Sequence, residues 1–454
     1  MKFPRIPRTL AVSLCQLFLA SALFGQTTYY FAGASLTQRR WNTSATSWTT
    51  SSSGTATIIW PNTASPLDNA IFASSDGSVF VGSITLSGAI LVGDLTFSTT
   101  GYTIAAGTSP TLTATTISSS VASATIAAPV LLASGGSSFG GAGNLTVTGG
   151  VSSPSGSRTL TLATTGNVTI STTAIADGSG TVAVSHTGSG TTTLSAANTY
   201  TGGTTISAGA LNVTGSLSSS GALTVDGGTI TFSNNQTTTS LSGSGGTISL
   251  GSGRVLTANQ GSTTSFAGSV SASGATLAKS GAGTLTLSGG NSVTLGTASV
   301  GGGTLSFAGP SSASVAAVQA SGGGIVSLGQ STPFAGSSTT LSLDNGTLTL
   351  ATDVTQTFAS LALGNSGSNT INFGSTSASD LTFSSTPTGA GTVNVTNYNY
   401  TGDPNSSGPK LRVTGSPAEA IAFFTINNSP VTYFGGSDIL VAIPEPSTYA
   451  AAAA

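Results

Sequence analysis

The sequence predicts an all-β chain wound as a parallel β-solenoid, with aromatic-rich capping regions at both ends. Three observations carry that expectation. From about residue 80 to 395, apolar residues fall at every second position in short runs such as Asn144-Leu145-Thr146-Val147, Thr229-Ile230-Thr231-Phe232 and Thr347-Leu348-Thr349-Leu350. This is the period of a half-buried strand, and the intervening residues are mostly Thr, whose β-branch favours strands. Second, the runs are closed by turn pairs such as Asp226-Gly227-Gly228 and Asp344-Asn345-Gly346, which supply positive φ angles. Third, the text repeats. His186-Thr187-Gly188-Ser189-Gly190 through Ser195 parallels Lys279-Ser280-Gly281-Ala282-Gly283 through Ser288, and both continue to a similar close at Val213 and Phe307. Short strands alone also suit a sandwich or barrel. The repeat favours a solenoid, because the shared unit of about 28 residues is what one three-sided coil is expected to need.

Composition agrees. Only 5% of the chain is charged, against about 25% in ordinary globular domains. Hydrophobic residues make up 38%, too many for simple disorder. At about 150 residues per domain the 454 residues would suggest three domains. A repeat architecture escapes that rule because it lengthens at constant cross-section.

Residues 1–25 have the layout of a secretory signal peptide. Lys2, Arg5 and Arg8 precede an apolar core, Leu10 to Leu19, and Ala20-Ser21-Ala22 offers a small-x-small cleavage site, with Gly25 a later option. The core is short for a bilayer span. Leu14 before Cys15 is not the small residue a lipoprotein signal needs. Cleavage removes three of ten basic residues and the sole cysteine, leaving seven basic against twelve acidic residues, a formal charge of −5. The mature chain is expected to form no disulfide and no Cys-based metal site.

Residues 26–80 are read as an N-terminal cap with the first rungs. They hold all three tryptophans, Trp41, Trp48 and Trp60. Large aromatics suit a plug over an otherwise unpaired end rung. The sharper reading makes Trp41 and Trp48 candidate glycan contacts.

Residues 81–395 form the expected solenoid, with its clearest repeats at 186–213 and 277–307. The run Ala196-Ala197-Asn198-Thr199-Tyr200-Thr201-Gly202-Gly203-Thr204-Thr205-Ile206 through Val213 resembles the autotransporter-associated β-strand repeat. Leu277 to Leu287 resembles its first half, and the second copy departs after Asn291, where Ser292-Val293-Thr294-Leu295-Gly296 replaces the Tyr-Thr-Gly-Gly segment. The resemblance implies a right-handed parallel β-helix of the kind found in secreted passenger domains.

Residues 396–442, with Tyr398, Tyr400, Phe423, Phe424, Tyr433 and Phe434, are read as C-terminal strands and a pre-anchor segment. Residues 443–454 carry Pro444-Glu445-Pro446-Ser447-Thr448 and a run of alanines. Two prolines around one residue keep the backbone extended and accessible. The motif resembles the first half of a PEP-CTERM sorting signal, which implies recognition by an exosortase-type sorting protease in a bacterium that makes exopolysaccharide. A full signal would continue into about 20 apolar residues and a basic cluster. The expectation is a fragment or a released protein, with transient membrane association only if that helix exists. A terminal translocating barrel is not expected.

Few residues of the chain carry candidate chemistry. His186 is the single histidine and is expected in a solvent-facing turn. No second His or Cys is available for a transition-metal site, and no Gly-x-Ser-x-Gly elbow supports a triad of His186, Asp177 and a serine. Twelve carboxylates are scattered, and the spacing gives no reason to pair Asp177 with Asp226 as a glycosidase requires. The Ca²⁺ nonapeptide is missing. Gly140-Gly141-Ala142-Gly143 and Gly322-Gly323-Gly324 lack the Lys and helix of a phosphate loop. Arg39-Arg40 is the sole basic pair, which argues against nucleic acid. No catalytic residue, cofactor or metal is assigned. The preferred reading is an exported, non-enzymatic scaffold of the cell surface or exopolysaccharide matrix. An adhesin with a specific glycan or protein ligand is the alternative, and a polysaccharide-degrading β-helix enzyme comes third.

Overall fold

The computed structural model describes residues 26–442 apart from short internal stretches, the longest being 33–39, 74–81 and 399–407. The signal-peptide residues Ala20, Ala22 and Gly25 and the sorting-motif residues Pro444 to Thr448 lie outside the described residues. The chain divides into two compact units, Met1–Gly180 and Thr181–Ala454. Each is a parallel β-solenoid, the all-β class the alternation predicts.

In the first unit, Tyr102–Ala106, Ala124–Ile126, Asn144–Val147 and Asn167–Ile170 stack in parallel, with Thr103, Thr125, Thr146 and Thr169 in one column. A second stack runs through Asn69–Phe72, Ala89–Phe97 and Thr111–Ser119. One end departs from this pattern. Thr28–Phe31 pairs antiparallel with Thr46–Thr49, which pairs antiparallel with Ile58–Ile59. These strands enclose an aromatic cluster. Trp41, Trp48 and Trp60 have ring centroids 4.8–5.4 Å apart, and Phe72 lies 5.5 Å from both Trp41 and Trp48. Edge-on and tilted aromatic contacts of this kind add about 0.5–1.5 kcal/mol each beyond area burial.

In the second unit, Thr191–Leu194, Ala210–Val213, Thr229–Phe232 and Thr247–Leu250 form one parallel stack. Further along, Thr284–Leu287, Thr304–Phe307, Ile325–Leu328, Thr347–Leu350, Asn369–Asn372 and Val393–Thr396 form another. The burial pattern of the Thr-Leu-Thr-Leu strands alternates strictly, every second residue being buried. The inward Val, Ile, Leu and Phe side chains each contribute about 1.5–3 kcal/mol when fully buried. Phe307, Phe334, Phe358 and Phe383 line up inside, with centroids 5.0–5.9 Å apart. Near the C-terminal end the pairing again turns antiparallel, from Phe424–Ile426 to Ser429–Tyr433 to Leu440–Ala442. The Tyr398 hydroxyl ties this end down, donating to Leu440 O at 2.9 Å and accepting from Leu411 N at 3.2 Å. A helical turn, Pro417–Ala420, followed by a 3-10 turn, Ile421–Phe423, interrupts the strands.

The coil is shorter than the repeat predicts. Thr192 stacks on Leu211, 19 residues later, and Leu285 on Leu305, 20 residues later. The repeat of about 28 residues therefore exceeds one coil. It begins on one strand, circles once, and ends on the strand stacked against its own start.

Polar side chains hold the corners from within. The buried Asn198 amide donates to Ala196 O and Ser216 O at 3.0 and 2.9 Å. Gln236 accepts from Leu217 N at 3.0 Å, and Gln260 accepts from Leu241 N at 2.8 Å. Corner backbone leaves the ladder, and each buried peptide group left unpaired would cost about 1–3 kcal/mol. These amides supply the missing partners between one coil and the next.

Candidate functional site

His186 ends strand Thr181–His186 and is fully buried, not solvent-facing as its turn-like sequence context implies. Its side chain continues the inward alternation of Val182 and Val184. Nδ1 lies 2.8 Å from Ala208 O; a carbonyl oxygen only accepts, so Nδ1 carries the proton and donates. Nε2 is buried with no partner. Burial holds the imidazole pKa below its ordinary value, against the opposing pull of the backbone hydrogen bonds. A neutral, enclosed ring cannot reach a substrate.

Lys279 occupies the matching position of the second repeat and is also buried. Its Nζ donates to Ser280 O at 2.7 Å, Gly281 O at 2.8 Å and Gly302 O at 3.1 Å. An ammonium has three protons, and three carbonyls meet them. Gly302 stands in its repeat where Ala208 stands in the first, so both basic side chains reach the same carbonyl of the following coil. Sequence reasoning missed this internal role, although the repeat alignment contained the signal: two proton-bearing side chains at one repeat position.

Five other charged side chains are also committed to structure. Arg158 donates Nε to Ser155 O at 2.9 Å and Nη2 to Ser155 Oγ at 3.0 Å, with Nη1 on Leu132 O. Asp226 accepts from Ser244 N and Oγ at 3.0 and 3.1 Å, and Asp344 accepts from Ser366 N and Oγ at 2.9 Å each. Each aspartate thus fastens the turn of the next coil. Asp380 and Arg412 pair at 3.4 Å. Among the described residues no three His, Cys, Asp or Glu side chains gather where they could hold a metal.

The two candidate glycan tryptophans do not offer ring faces. Trp41 and Trp48 are both fully buried in the aromatic cluster. Sugar stacking needs an exposed π-face, so the expectation of glycan contact at Trp41 and Trp48 is corrected by their position.

What the second unit does present outward is a regular hydroxyl array. Thr286, Ser306, Ser327, Thr349, Asn372 and Thr396 are in register from strand to strand. A second rank, two residues earlier on each strand, runs Thr284, Thr304, Ile325, Thr347, Thr370 and Asn394. All are half-buried by their neighbours. Parallel stacking sets the ranks at a pitch of about 4.8 Å, with about 6.6 Å between the two ranks along a strand. No ionisable residue interrupts either rank. The array is stiffened along its own axis, as where Thr425 donates to Asn394 Oδ1 at 3.1 Å and Asn397 to Asn372 Oδ1 at 2.8 Å.

Residues 187–213 and 277–307 match the model of a family described as the passenger-associated-transport-repeat. These are the two stretches that carry the autotransporter-associated repeat resemblance. The chain is also similar to the adhesin BmaC autotransporter of Brucella suis biovar 1 (strain 1330), at 32% identity over 173 residues. That alignment covers 34% of this chain and 5% of the relative, so the chain spans a small fraction of the relative's length. No solved structure gives a significant match.

Proposed function

We propose that this protein is an exported, surface-exposed scaffold of the passenger or adhesin type, without catalytic chemistry, that associates with neutral polysaccharide through its hydroxyl face. The observation that carries the reading is the double rank of Thr, Ser and Asn on the second unit, broken once by Ile325. Hydroxyl and amide groups at fixed spacing match the donor and acceptor pattern of a polymer of neutral sugars. A face without charge gives up no ionic solvation when it is covered. Each contact is weak, of order 1 kcal/mol, and repetition along the stack supplies avidity. The passenger-type repeats and the similarity to an autotransporter adhesin support export and surface exposure. In this reading the leader is cleaved near Ala20, Ala22 or Gly25, and Pro444, Glu445, Pro446, Ser447 and Thr448 are gripped by an exosortase-type protease before release to the surface or matrix.

Co-sedimentation of the purified chain with the producer's own exopolysaccharide tests this. The expected result is retention that changes little between 0.05 and 1 M salt (about a fourfold change in Debye length), because no ion pair is involved. Failure to be retained, or loss of retention with added salt, would remove the neutral-face reading. The adhesin alternative places a specific ligand elsewhere. It is favoured by the similarity to an adhesin, but its binding surface cannot be the ring faces of Trp41 and Trp48.

A further inference from the structure

The two repeats differ at one corner, and the difference leaves a groove. In the second copy the strand that follows Thr284–Leu287 is the nine-residue Ser292–Val300. In the first copy, residues 195–203 leave the sheet before Thr204–Ile206 resumes it. Tyr200 turns into the core and its hydroxyl meets Thr204 Oγ1 at 2.7 Å. The chain on either side of Tyr200 stays at the surface, and with the corners of the next two coils it borders an open groove of about 530 Å³. That is within the range of small-ligand sites, about 300–1,000 Å³.

The lining is uncharged. Thr199, Thr201, Ser219, Ser220, Asn235 and Thr237 are exposed along it, contributed by three successive coils. Two steps of coil pitch span roughly 10 Å, the scale of a short oligosaccharide. The floor is rigid, because the buried amides under it are committed to the backbone. Asn198 holds Ala196 O and Ser216 O, and Gln236 holds Leu217 N and, at 3.3 Å, Gly215 O. A site whose loops are already fixed loses little entropy when a ligand settles in it.

We infer that this groove is a discrete binding site for a short stretch of uncharged saccharide. The inference rests on the polysaccharide reading above and locates a specific subsite within it. Carboxylated sugars are disfavoured, since no cation lines the groove to offset their desolvation. Phosphorylated ligands are disfavoured for the same reason. Neutral sugar hydroxyls find donors and acceptors on three coils at once.

The test is calorimetry and saturation-transfer NMR on the full chain with cellohexaose, maltohexaose and chitohexaose, and with hexagalacturonate as the charged counterpart. The wild type is expected to bind at least one neutral hexamer and not hexagalacturonate. The triple variant Thr199→Val, Ser219→Ala, Thr237→Val deletes three exposed hydroxyls at nearly constant shape. It is expected to bind at least tenfold more weakly, with its unfolding temperature unchanged. The variant Thr286→Val, Ser327→Ala, Thr349→Val alters the flat face and is expected to keep hexamer affinity. Absence of binding by every neutral hexamer overturns the groove, as does undiminished binding by the groove variant. If the whole exopolysaccharide is still retained in that event, the groove fails and the hydroxyl face survives. If neither polymer nor hexamer is held, both fail.

Discussion

The corner at His186 and the corner at Lys279 solve one problem with two chemistries. Both residues open a repeat, both are buried, and both reach the equivalent carbonyl on the next coil, Ala208 O and Gly302 O. Lysine satisfies three carbonyls with three protons. Histidine satisfies one and leaves Nε2 without a partner. The comparison shows that in a solenoid this poor in charge, a basic residue can be an internal fastener rather than a surface group. The one imidazole of the chain is thus inside, holding the stack.

The glycines facing these side chains set the largest expected effect. Gly209 and Gly303 have φ of +62° and +61°, and a Cβ on either would lie 2.2–2.5 Å from carbonyl oxygens of the preceding corner. Gly303→Val is therefore expected to destabilise by about 3 kcal/mol or more, combining left-handed backbone strain with overpacking. Chemical denaturation checks this, and Gly323→Val, also at positive φ but with no neighbour within 4 Å of its Cβ, isolates the strain alone. Lys279→Met keeps the aliphatic stem and deletes the donors. It is expected to cost about 2–3 kcal/mol, with hydrogen-exchange protection lost first in Ser280–Gly283 and Gly301–Thr304.

Acid is expected to separate the two corners. The folded pKa of His186 is depressed, so the folded state favours the neutral ring. The unfolded chain takes up a proton more readily below about pH 6.5. The stability His186 contributes is therefore full above that pH and declines as the pH falls through it, by at most about 1.4 kcal/mol per pH unit. His186→Lys should remove this decline, since the sister corner already accommodates an ammonium. Melting curves from pH 7.5 to 5 compare the two chains; an equal decline in both would break the parallel.

The smallest effect concerns Thr192, whose hydroxyl is buried without a partner where the second repeat has Leu285. Thr192→Val deletes the hydroxyl at constant shape and is expected to stabilise by about 1 kcal/mol, read as a raised denaturation midpoint.

Strand placement was legible in the sequence because the Thr-Leu-Thr-Leu alternation has one physical meaning, and Leu285, Leu305 and Leu348 all point inward as it requires. The coil length was not, because similarity between two stretches reports the corner they share and both strands around it, not the point where one turn closes. Trp41 and Trp48 were ambiguous for a different reason. An indole suits both a core and a sugar, and only the antiparallel strands over the end rung decide that these two are enclosed. The inward turn of His186 was hidden by the glycines that follow it, which read as a turn. The strand's alternation from Val182 and Val184 reached it first. The groove had no signature beyond the departure after Asn291, because its lining residues are the commonest in the chain.

The central claim is that the uncharged ranks on the second unit hold neutral polysaccharide. It is tested most directly by comparing retention on the producer's exopolysaccharide between the wild type and the Thr286→Val, Ser327→Ala, Thr349→Val variant. The account expects the wild type to co-sediment and the variant, equally stable, to remain largely in solution. Equal retention of the two chains would contradict it.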